Sequence, residues 1–98
     1  MRTALLRSDG SRDLGMGHIF TSLTLAKGLW RRGVQSIFVV KDHTVEVPKL
    51  IKDSGFTVRT IPADATLRED IQITRDLIEQ YAPEIVVADL YHDGMTAD

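Results

Sequence analysis

Residues 3–33, TALLRSDGSRDLGMGHIFTSLTLAKGLWRRG, decide the fold. They open with a short apolar run, Thr3-Ala4-Leu5-Leu6, which reads as a strand. A polar glycine loop follows, from Ser8 to Gly17. Ile19, Leu23, Ala26, Leu29 and Trp30 then recur at helical spacing, so Trp30 is expected on the core-facing stripe. Gly33 stands where a helix C-cap belongs. Strand, glycine loop and helix in this order are the first unit of a parallel α/β sheet.

The rest of the chain repeats that alternation. Ser36-Ile37-Phe38-Val39-Val40 is continuous and β-branched, a second strand. Residues 45–54 give a second helix, with Val47, Leu50 and Ile51 on one face and Gly55 just past its end. Pro48 falls in its first turn, where a missing N–H costs little. Phe56 to Ile61 alternates as a third strand. Leu67 to Tyr81 is a third helix, with Ile71, Thr74, Leu77 and Ile78 as its expected stripe and Pro83 stopping it. Ile85-Val86-Val87-Ala88 is a fourth strand ending at Asp89, and Met95-Thr96 is placed to begin another helix.

Continuous apolar strands separated by helices predict a parallel sheet covered on both faces, a three-layer Rossmann-like α/β fold. Right-handed crossovers give the strand order 3-2-1-4 and a switch point between strands one and four. Ligands of open parallel sheets bind there, beyond the carboxyl ends of the strands. The polar residues fall on that rim: Ser8 to Gly17, Asp42 and His43, Asp64, and then Asp89, Tyr91, His92 and Asp93. Four strands are about half of a doubly wound domain. The fourth would lie at an open apolar edge, an association hazard. The sequence therefore predicts either an N-terminal fragment or a homodimer through that edge.

Composition excludes several function classes. The chain has 98 residues, 43% of them apolar and 27% charged, which fits a globular domain and not a disordered or fibrous one. Mean hydropathy is -0.08 and no apolar run approaches the roughly 18 residues of a membrane span. The start, MRTALLRSDGS, has no secretory signal pattern. There are no cysteines, which removes disulfides and thiol chemistry and fits a reducing, cytoplasmic setting. Net charge is -2, split as +5 over residues 1–59 and -7 over residues 60–98. A whole-chain basic footprint for nucleic acid is absent. The positive first half suits either a phosphorylated small molecule or a solvated helix end carrying Arg31 and Arg32.

The glycine loop bears three motif readings. A P-loop fails, because Met16-Gly17 stands where Lys and Ser/Thr are needed after the Gly10-to-Gly15 spacing. A dinucleotide fingerprint is poorly matched: Gly15-x-Gly17 is followed by Phe20 in place of the third glycine, and the loop is too long. The third reading is an open loop leading into a helix that begins at His18. Gly15 and Gly17 would let backbone N–H groups approach an anion or a sugar, helped by the helix N-terminus. That field disfavours imidazolium, so His18 reads either as a neutral general base at the crevice or as a helix cap packed under the loop.

Asp9-Gly10-Ser11, Leu14-Gly15-Met16-Gly17-His18, Leu23-x-Leu25-Ala26-x-x-Leu29 and Gly33 resemble the start of the nucleotide-sugar hydrolases of pseudaminic acid biosynthesis. The related spore coat polysaccharide biosynthesis proteins begin similarly. The resemblance continues through Gly55-Phe56-x-Val58 and Val86-Val87-Ala88-Asp89-x-Tyr91-x-x-Asp93, so it covers nearly the whole chain. Both families have the two-lobed GT-B architecture, like the peptidoglycan N-acetylglucosaminyl transferase. This resemblance implies that the chain is part of an N-terminal lobe, with the second, nucleotide-binding lobe absent. It implies cleavage of a UDP-linked deoxy amino sugar in surface polysaccharide or nonulosonic acid biosynthesis, with His18 assisting the attacking water. Asp9, Gly10, Ser11, Gly15 and Gly17 would shape the sugar side of the cleft, and Asp89 and Tyr91 its rim. No metal or other cofactor is expected. A GT-B glycosyltransferase acceptor lobe, and a non-catalytic domain associating through the open edge, are the alternatives. One position departs from the family: Thr21 stands where an arginine usually follows the histidine by three residues.

The remaining polar residues carry weaker signals. His43, His92, Asp42 and Asp93 could gather a metal on the rim, but none has a local ligand spacing. Asp89 could orient a reacting group or cap the following helix. Asp13 could orient His18 or stay in solvent.

Overall fold

The computed structural model describes residues 2–9, 17–41 and 45–89. Four parallel strands, β1 (Arg2–Ser8), β2 (Val34–Lys41), β3 (Thr57–Ile61) and β4 (Ile85–Asp89), alternate with helices α1 (Gly17–Arg31), α2 (Glu46–Asp53) and α3 (Leu67–Tyr81). The sheet order is β3-β2-β1-β4, the doubly wound order expected from the sequence. Leu5 pairs with Ile37 on one side and Val86 on the other, and Ser8 pairs with Asp89. The ends of β1 and β4 therefore meet at the switch point.

Alternation along β1 and β2 divides the core between two faces. Ala4, Leu6, Val34, Phe38 and Val40 face α1 and α2, packing against Ile19, Leu23, Ala26, Val47 and Ile51. Leu5, Val39 and Ile61 face α3 and meet Leu77, with Ile73, Ile78 and Tyr81 around them.

Local chemistry sets the helix ends. Gly33 follows α1 at φ +79° and closes its last turn onto Trp30 O at 3.0 Å. After α2, Gly55 (φ +92°) donates to Lys52 O and Phe56 to Ile51 O, a Schellman motif. At α3, Thr66 Oγ1 accepts from Glu69 N at 3.2 Å, while Glu69 Oε1 accepts from Thr66 N at 3.0 Å. This capping box, not identified from the sequence, fixes the start of α3. The Thr66 backbone N–H first, and then the Thr66 side chain, hold the Glu69 carboxyl below its usual range.

Two packing expectations need correction. Trp30 is 55% exposed, not core-facing, because Leu29 takes the inward position at the end of α1. Ile71 is 49% exposed, because α3 is turned so that Asp70, Ile73, Leu77, Ile78 and Tyr81 face the sheet. An acid occupies an apolar register position there, and its reason lies at the rim.

Candidate functional site

The carboxyl end of β1 carries three polar residues in succession, and alternation sends them to different partners. Arg7 points to the α3 face yet is 2% exposed. Its Nε and Nη2 donate to the two oxygens of Asp70 at 3.2 and 2.6 Å. Its Nη1 and Nη2 donate to the two oxygens of Asp9 at 2.7 and 3.2 Å. Nη1 also reaches the carbonyls of Ser8 and Val39 at 3.2 and 3.3 Å. One guanidinium thus holds two carboxylates side-on, a geometry that arginine's planar fork permits and lysine's ammonium does not.

Two further contacts extend the cluster to β2. Lys41 N donates to Asp9 Oδ1 at 2.9 Å, and Lys41 Nζ lies 3.9 Å from Asp70 Oδ2. Thr74 Oγ1 donates to Asp70 Oδ1 at 3.2 Å. The four charged side chains sum to zero, so burial leaves no net charge in the interior. Burial alone would push the Asp70 carboxyl up. The bonds and charge of Arg7, with Thr74 and Lys41, hold it below its usual range. Burial would likewise lower Arg7, but Asp70 and Asp9 raise it above the ordinary guanidinium value. On the opposite face, buried Ser22 Oγ on α1 donates to Ser8 Oγ at 3.1 Å.

These bonds pin both ends of the glycine loop. Its root, Asp9, is tied to β2 and α3 through Arg7 and Lys41. Its far end, Gly17, opens α1, which Ser22 ties back to Ser8. His18 is the second residue of α1 and is half-buried, not sealed in the core. Gly17 is exposed, and a Cβ there would meet nothing within 4 Å among the described residues. Asp89 lies at the end of β4 beside Ser8. So Asp9, Gly17, His18 and Asp89 share the rim at the switch point, as the sequence predicted. Asp9 does so with both carboxylate oxygens engaged by Arg7.

Gly10, Ser11, Gly15 and Tyr91 lie outside the described residues, as do Asp13, Asp42, His43, His92, Asp93 and the helix expected near Met95. Among the described residues, no three His, Asp or Glu side chains gather as a metal site would require. The residues missed by sequence reading are Arg7, Asp70, Lys41 and Ser22. Arg7 had a signal, a charge directly following Ala4-Leu5-Leu6 inside a strand that must be covered on both faces.

With this geometry in view, similarity to known proteins is informative about the fold. No protein-family model matches the chain. The uncharacterized protein MJ1062 of Methanocaldococcus jannaschii is 29% identical over 89 residues, covering 78% of this chain and 18% of that protein. The crystal structure of Acinetobacter baumannii MurG superposes with a TM-score of 0.68 at 16% identity, covering 93% of this chain and 28% of that one. The fold is thus the Rossmann-like one of the first lobe of a GT-B-like protein. The chain spans under a third of either relative. Among the described residues, no helix is long and apolar enough to cross a membrane.

Proposed function

We propose that this chain is the acceptor-side N-terminal lobe of a two-lobed nucleotide-sugar enzyme of the glycosyltransferase type. The observation that carries the proposal is the likeness to MurG over 93% of the chain, with Asp9 and Gly17, the two flanks of the glycine-rich segment, at the end of β1 and the start of α1 on the switch-point rim. The sugar would sit over Gly17 and the start of α1, where open space and backbone N–H groups favour an anionic or hydroxyl-rich ligand. His18 would take the proton from the attacking hydroxyl as its oxygen bonds to the anomeric carbon. The sugar–phosphate bond breaks in the same step, and its electron pair leaves with UDP.

A hydrolase is the second reading, favoured by the stretch from Asp9 to His18 and its resemblance to the pseudaminic acid hydrolases. The chemistry differs only in the nucleophile, water in place of an acceptor hydroxyl. In either case a UDP-linked deoxy amino sugar is the proposed substrate, its uridine diphosphate bound chiefly by the second lobe.

The full-length protein, given UDP-N-acetylsugars with and without an acceptor, distinguishes the two. UDP release that needs the acceptor supports transfer; release without it supports hydrolysis; no release in either case sinks both. His18→Ala should lower turnover at least ~10²-fold, the usual worth of a general base. Homodimerisation through β4 is also proposed. The outer edge of β4 has no strand partner among the described residues, and Val86 is 48% exposed. A sedimentation coefficient that stays at the monomer value at every concentration would dismiss it.

A further inference from the structure

At the amino ends of the strands, away from His18, a groove of about 490 Å³ opens between the last turn of α1 and the α2–β3 turn. Its walls include Lys27, Trp30 and Arg31 from α1, and Gly55 and Phe56 from the turn. Ser36 lies in its floor. The volume falls within the range of small-molecule sites.

Three features distinguish it from an ordinary surface fold. First, the inward register of β2 reads Val34, Ser36, Phe38, Val40. A small polar residue interrupts an apolar series, and the hollow lies above it. Ser36 is fully buried and its Oγ has no hydrogen-bond partner, a cost that an apolar residue would avoid. Second, the rings flank the hollow. Trp30 presents a large exposed surface, while half-buried Phe56 is backed by Phe38 at 5.6 Å between centroids. Third, Lys27 and Arg31 stand one helical turn apart on the same wall. Among the described residues, neither has a carboxylate partner and no acid lines the groove.

We propose that this groove binds a small aromatic anion, its ring against Trp30 and Phe56 and its carboxylate or phosphate between Lys27 and Arg31. The stacking surface supplies the apolar contact, and the two cations select the charge. Gly55 is exposed and has no atom within 4 Å of where a Cβ would stand, so the ring can approach the backbone of the turn. The inference does not depend on the sugar reaction at the other end of the sheet.

Trp30 is the sole tryptophan of the chain, so its indole N–H signal reports directly on the groove. The test titrates 2-naphthoate into the 98-residue chain and follows that signal by ¹H–¹⁵N NMR, with neutral 2-naphthylmethanol as the control. Naphthoate should give a saturable shift of the indole, Gly55 and Phe56 signals. The alcohol should bind at least about fivefold more weakly, and Lys27→Ala or Arg31→Ala should weaken naphthoate about as much, the scale of one partly exposed charge pair. Both variants alter exposed residues, so their spectra should otherwise match the parent. Ser36→Val fills the floor while keeping a β-branched strand residue, and should weaken both probes. Equal affinity for acid and alcohol, shifts scattered over the surface, or variants that bind like the parent would each overturn the proposal.

Discussion

The two faces of the sheet are closed by different means. On the α1/α2 side, ten buried apolar residues among the described ones pack with no charge between them. On the α3 side, four buried apolar residues share the interface with Arg7 and Asp70. The first face is a dry core whose strength follows apolar area. The second is joined at the carboxyl rim by an ion cluster, whose members stabilise only while all are present. That arrangement suits a rim which must hold a loop root in one position, because hydrogen bonds fix direction and apolar contacts do not.

The largest effects should come from breaking each face in its own way. Phe38→Ala empties the dry core and should cost about 3–5 kcal/mol by denaturant unfolding. Arg7→Met keeps volume but strands Asp9 and Asp70, and should cost a similar ~3–5 kcal/mol. The contrast appears in the rescue. Replacing Asp9 and Asp70 with Asn in the Arg7→Met background should recover a good part of the loss, whereas no charge change relieves the Phe38 cavity. If Arg7→Met unfolds no more easily than a surface variant, the α3 face is not held by its ions.

Acid sharpens the same contrast. The Asp70 carboxyl is held below its usual range in the folded chain, so its contribution is full above the ordinary carboxylate value. It is lost as pH falls from there through the depressed folded value. Stability of the parent should therefore drop on acidification, and Asp70→Asn should flatten that limb while lowering stability at neutral pH. An acid limb of unchanged slope in Asp70→Asn would show that other carboxylates govern it.

The same division explains what could be read beforehand. Strand order, element sequence and rim position followed from periodicity, because Leu5, Leu6 and Ser36 to Val40 are apolar or small enough to declare a buried strand. The errors fell where a polar residue sits in an apolar register. Asp70 was not recognised as inward-facing, so Ile71 was assigned its place. Trp30 was placed on the stripe together with Leu29 by helical spacing, but only Leu29 of the two adjacent residues turns inward. A pattern rule that counts charges as surface cannot find an arginine and an aspartate that meet from 63 residues apart. The site was legible only in part for the same reason: Gly17 and His18 announce themselves in a local motif, but the bonds holding Asp9 come from Arg7 of β1 and Lys41 of β2.

A smaller effect probes α3 away from the cluster. Thr66→Ala removes the side-chain oxygen that accepts from Glu69 N, and should cost about 1 kcal/mol, as N-cap losses do. Thr66→Asn, another strong capping residue, should restore most of it. A loss as large as that of Arg7→Met would mean that the first turn of α3, which carries Asp70, needs the cap to present its carboxylate. The cap and the ion cluster would then be one device.

The smallest expected effect is at the other end of β1. Arg2 Nε donates to Glu84 Oε2 at 2.7 Å, with both side chains more than half exposed. This pair joins the same two strands, β1 and the approach to β4, that the rim depends on, and its distance matches the best contacts of Arg7. Yet water competes for both groups, so Arg2→Ala should change stability by less than about 1 kcal/mol, and the change should vanish in high salt. The Arg7 contacts should persist there, because their side chains are screened by protein and not by counterions. If salt abolished the cost of Arg7→Met as it does that of Arg2→Ala, the two arginines would differ only in position, and burial would not be what makes the rim rigid.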